Sequence, residues 1–194
     1  MIQLRSNVFE TNSSSAHSLV FMNKPIEYYT PEEVYEDLQW KCTENPNNPG
    51  KYTLELRFWD GEGQYDRYPF QVLKDFRTKL YYLYAHCPIR VVPPKKPDDY
   101  THYWREWYKV SNFLKKHLPW LEKVEWNKYC DIRPSSEALG FDGALKRAGL
   151  DWYEYLFRKD IIVICDGDEY HVWKGMKKAG LINMNNINKE YHYD

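Results

Sequence analysis

The chain has 194 residues, and its 27 Lys and Arg nearly cancel its 28 Asp and Glu. That length suits one domain with its own core, and the balance excludes a whole-molecule field, so any contact with an anion has to come from a local patch. Apolar runs such as Ile161 to Cys165 are far too short to cross a bilayer and the first residues lack the apolar stretch of a signal peptide, so a cytoplasmic protein without membrane contact is expected.

The predicted elements begin with two strand-prone runs, Ile2 to Phe9 and Ala16 to Met22, joined by the polar stretch Glu10 to Ser15. This pattern predicts an N-terminal β-hairpin over residues 1–23. Thr30, Pro31 and Glu33 have the spacing of a capping box with proline at the first helical position, so a helix starts there. Val34, Leu38 and Cys42 share its apolar face until the Pro- and Asn-rich residues 45–50 stop it. Tyr52, Leu54, Leu56 and Phe58 alternate with polar residues as a half-buried strand, with residues 64–68 as its expected return arm.

Leu73, Phe76, Leu80 and Leu83 mark a second helix that ends at Cys87-Pro88, with a short strand over residues 89–92. The proline-rich residues 93–97 form a linker or surface loop. A third and longest helix is predicted from Asp98, carrying Tyr100, Trp104, Trp107, Ser111, Leu114 and Leu118 on one stripe and ending at Pro119. A strand over residues 123–126 follows. Ser135 or Ser136 caps a short helix, Asp151 with Glu154 opens another, and Ile161 to Ile164 is a buried strand turned by Asp166-Gly167-Asp168. The fold class is α+β: the hairpin, then a single body over residues 24–194 with about four to six helices and a small antiparallel sheet.

Cys42, Cys87, Cys130 and Cys165 lie far apart without zinc-site spacing, and the histidines beyond His17 share no ligand spacing, so neither a metal nor another cofactor is expected. The chemistry concentrates instead in Asn7 to Ser18, where hydroxyl residues, two Asn, Glu10 and His17 converge on the hairpin tip. Metal-free RNA cleavage needs a base for the 2′-hydroxyl, an acid for the leaving 5′-oxygen and donors for the phosphorane. His17 and Glu10, with the hydroxyls of Ser14 and Ser15, are the candidate catalytic residues. Arg5, Asn12 and Ser13 are the candidate phosphate holders. A polar turn whose hydroxyls cap their own backbone explains the same residues. A second mixture, Lys95, Lys96, Arg105 and Lys109 with Lys115 and Lys116 among Tyr103, Trp104 and Trp107, suits RNA by charge and stacking, or is a core stripe with a solvated basic face opposite.

The string Val8 to Leu19 resembles an N-terminal signature of phage and mobile-element proteins of Firmicutes that include type II anti-CRISPR inhibitors. The resemblance covers Arg5 to Val20, and the chain departs from it at Ala16, where a hydroxyl residue is commoner. It implies a cytoplasmic inhibitor in an infected bacterium, whose partners are a type II CRISPR nuclease and its guide RNA, with the hairpin promoting metal-independent cleavage of that RNA. The 18 Tyr and 8 Trp against 8 Phe leave two alternatives open: a non-catalytic binding protein with an aromatic interface, or a stand-alone ribonuclease.

Overall fold

The computed structural model describes residues 8–10, 16–22, 24–56, 71–85, 89–92, 102–105, 107–126 and 138–166. They form a mixed α+β fold. Strands β1 (Val8–Glu10) and β2 (Ala16–Phe21) make the N-terminal antiparallel pair. Helix α1 (Pro31–Leu38) starts on the predicted capping box: Thr30 Oγ1 accepts from the Glu33 amide at 3.2 Å, and the Thr30 amide donates to Glu33 Oε2 at 2.9 Å. Two amides at the helix start are thereby satisfied, beside a proline that has none to satisfy.

The helix stops earlier than its apolar spacing suggests. Gln39–Lys41 tighten into a 3-10 turn, and Cys42 opens strand β3 (Cys42–Glu44), which pairs antiparallel with β4 (Tyr52–Leu56). Cys42 is thus a strand residue, because ladder hydrogen bonds to β4 replace the next helical turn. Leu54 and Leu56 are fully buried, as the alternation requires. The other edge of β4 carries β8 (Leu121–Trp126) in parallel pairing, while the expected return arm, residues 64–68, lies outside the described residues.

Strand β5 (Gln71–Leu73) takes Leu73 out of the predicted second helix, and α2 (Phe76–Ala85) follows. Strands β6 (Ile89–Val92) and β7 (His102–Arg105) pair antiparallel, so Trp104 belongs to a strand and the third helix, α3 (Trp107–His117), begins later than predicted. The apolar stripe alone cannot mark that boundary, since His102 to Arg105 have a ladder partner that helix formation would forfeit. Helices α4 (Ala138–Arg147) and α5 (Trp152–Phe157) precede β9 (Ile161–Asp166). Gly149 ends the turn after α4 at φ 71°, a conformation an L side chain resists, and Asp151 caps α5 by accepting from the Glu154 amide at 2.8 Å.

The largest sheet runs in the order β1-β2-β9-β5, antiparallel throughout. Its strand β9 is an apolar run because both faces are covered: Ile161 to Cys165 are all at most 1 % exposed. One core cluster joins Leu19 of β2 and Val163 of β9 to Leu54 of the second sheet, to Phe76, Leu80 and Leu83 of α2, and to Leu114 of α3. Among the described residues no helix is long and apolar enough to cross a membrane.

Candidate functional site

The sequence motif falls on the hairpin, and the register assigns its neighbours. Phe9, His17, Cys165 and Gln71 form one row across the four strands. The next row holds Glu10, Ala16 and Asp166. Successive rows of a pleated sheet belong to opposite faces, so position 17 shares a face with position 19, where Leu19 is 1 % exposed, and position 10 belongs to the other face. His17 therefore has Phe9, not Glu10, as its cross-strand partner. Cys165 and Asp166 adjoin the motif although some 150 positions separate them from it, a neighbourhood no local pattern announces.

Of the remaining candidates, Arg5, Asn12, Ser13, Ser14, Ser15, Lys95 and Lys96 lie outside the described residues. Arg105 ends β7 opposite Ile89. Lys109 is exposed on α3, and the buried side of that helix carries Val110, Ser111 and Leu114. Among the described residues of α3, Val110, Ser111 and Leu114 are thus buried while Lys109, Lys115 and Lys116 are exposed.

A second constellation, which the sequence reading missed, lies where α2 meets α5 and the segment entering β9. Lys79 is fully buried in α2, and its Nζ donates to the carbonyl oxygens of Tyr155 at 3.0 Å and Arg158 at 2.8 Å. Loss of hydration pulls its pKa down to about 7, against the opposing pull of Asp160 and Asp75. Arg158 grips the buried Asp160 with two bonds, Nε to Oδ1 at 2.9 Å and Nη2 to Oδ2 at 2.7 Å, and reaches Glu154 at 3.1 Å. The bidentate pair raises the guanidinium pKa further. Tyr155 returns the contact by donating its hydroxyl to the Lys79 carbonyl at 3.1 Å.

A buried amine titrating near neutrality is a mark of active sites. Here the ammonium donates to two backbone carbonyls at the end of α5, and the side chain has no exposed surface. Lys79 satisfies carbonyls that the helix end leaves open, and it ties α2 to the segment entering β9. A signal for it was present: Phe76, Lys79, Leu80 and Leu83 have the spacing of one helix face, so Lys79 interrupts an apolar stripe.

Among the described residues no three His, Cys, Asp or Glu side chains converge as metal ligands would. No protein-family model, curated protein or solved structure matches the chain.

Proposed function

We propose that the protein inhibits a type II CRISPR nuclease by acting on the bound guide RNA, with the segment between β1 and β2 meeting the sugar-phosphate chain. The observation that carries this reading is that the signature residues flank a two-stranded ribbon whose second strand is locked into the body's main sheet. Glu10 and Ala16, on either side of that segment, are themselves a paired position of the ribbon. The reading sets the protein in the cytoplasm of an infected bacterium.

Cleavage on this reading needs no metal. The 2′-oxygen attacks phosphorus as a base takes its proton, and the bond to the 5′-oxygen breaks as an acid supplies one, leaving a cyclic phosphate and a free 5′-hydroxyl. His17 is the candidate imidazole acid or base, Glu10 is the second acid or base, and Arg5, Asn12 and the Ser13 to Ser15 hydroxyls offer donors to the phosphorane. The test is to incubate guide-loaded nuclease with the protein in a chelator and to run the RNA on a denaturing gel. A shortened guide is expected with the native protein and a full-length guide with His17→Ala and with Ser14→Ala. Undiminished cleavage by both variants sinks the catalytic role, and cutting of naked RNA makes the protein a stand-alone ribonuclease.

A second reading is a blocker that cuts nothing. It is favoured by the register, which sets Glu10 and His17 on opposite faces, and by β1 ending the order β1-β2-β9-β5, where a partner's strand can add to it. Full-length guide together with lost DNA binding is its outcome.

A further inference from the structure

A cleft of about 600 Å³ opens between α3, α4 and the start of α5, far along the chain from the motif. Its walls are aromatic. Phe113 meets the Trp152 ring edge-on at 5.8 Å, His117 lies 4.7 Å from Phe113 and 4.9 Å from Tyr153, and all four rings are half-buried, which leaves part of each accessible. Leu145 and Leu150 are buried among the lining residues. Trp152 is fixed by its indole N–H, which donates to Asp142 Oδ1 at 3.2 Å.

The charges around the cleft are not equivalent. Asp142 is occupied by Trp152, and Asp151 by the α5 cap. Lys116 of α3 and Lys146 of α4 are exposed, and among the described residues neither ammonium group has a hydrogen-bond or ion-pair partner. A lysine in the last turn of a helix complements that helix's dipole. The dipole gives no reason for lysines from two helices to line one aromatic cleft. Two ammonium groups balance two carboxylates along the lining, so the capacity to hold an anion is local to Lys116 and Lys146, and the cleft's size lies within the range of small-molecule sites.

We infer that this cleft binds a nucleotide unit, its base against the Trp152 ring and its phosphate between Lys116 and Lys146. A planar base with an adjacent anion fits both features at once, by stacking and by neutralisation. The unit has two sources, a free mononucleotide or a single-stranded RNA, and both present the same chemistry. The inference stands apart from the hairpin and needs no CRISPR nuclease.

The experiment uses the full chain alone, with a fluorescently labelled RNA decamer of mixed sequence and with AMP as probes, followed by polarisation and calorimetry. Binding of the decamer, of AMP, or of both is expected. Binding of AMP alone assigns a free-nucleotide site, and of the decamer alone a strand site. The double variant K116Q/K146Q replaces two exposed side chains. It is expected to weaken binding at least about tenfold and, for the strand, to lower the slope of log affinity against log salt by about 0.7, the contribution of one phosphate contact on a single strand. Trp152→Leu keeps an apolar wall without the stacking face and is expected to weaken both probes about tenfold or more. Three results overturn the inference: no binding of either probe, unchanged affinity in K116Q/K146Q, or displacement of the probe by polyglutamate as readily as by AMP, which makes the cleft a site for acidic peptide. None of these bears on guide cleavage, so the two readings fail separately.

Discussion

Lys79 shows how one side chain can be both a cost and a fastener. Its ammonium loses hydration in the core, yet its hydrogens reach two carbonyls that would otherwise be left open. The sign of its pH effect follows from the depressed pKa. Between about 7 and the ordinary lysine range, the unfolded chain holds a proton that the folded chain has lost, so stability rises with pH through that window. Cys42, whose thiol burial pushes up to about 11, acts in the opposite direction above the ordinary thiol range near 9. The clean interval is therefore pH 7 to about 8.5. Chemical denaturation across it should show a rise of about 1–2 kcal/mol from this group, and Lys79→Met should lack that component while losing about 1–3 kcal/mol overall from two unsatisfied carbonyls. An unchanged slope in the variant would refute the neutral amine.

At the scale of elements, what was legible in the sequence was whatever depends on near neighbours. Thr30, Pro31 and Glu33 announced the start of α1, and Leu54 with Leu56 announced the buried face of β4, because capping and alternation are short-range rules. The hairpin was legible for the same reason. Partners distant in sequence were not: the parallel pairing of β4 with β8, the diversion of Cys42, Leu73 and Trp104 into strands, and the covering of β2 by β9 all depend on ladder bonds to remote segments. The candidate site shared this limit, since spacing brought Glu10 and His17 together while the register separates them onto opposite faces. Leu19 carries the element's energetics. Buried on β2 opposite Val163, it should cost about 2–5 kcal/mol when cut to alanine. A denaturation midpoint unmoved by Leu19→Ala would contradict the assigned register.

For the whole molecule, the N-terminal strands belong to the main sheet. β2 hydrogen-bonds along its full length to β9 and contributes Leu19 and Val20 to the buried interior. Removing residues 1–21 should therefore leave no cooperative thermal transition, so a truncated chain cannot test the proposed action on RNA. Point substitutions at positions 14 and 17 are the informative ones. A truncated chain that melts cooperatively at the native temperature would show that the sheet closes without its first two strands.

The same pairing sets a timetable for synthesis. Phe21 leaves the ribosome about 140 positions ahead of Ile161, its mate. Until the later strand emerges, the apolar β2 segment waits with an unpaired edge, and chain closure over so long a loop is slow. While those intervening residues are made, the nascent chain carries a sticky ribbon in the open. Chaperone capture at that stage, relieved only once residue 166 has cleared the exit tunnel, is the physical consequence of seating the first strands beside the last described one.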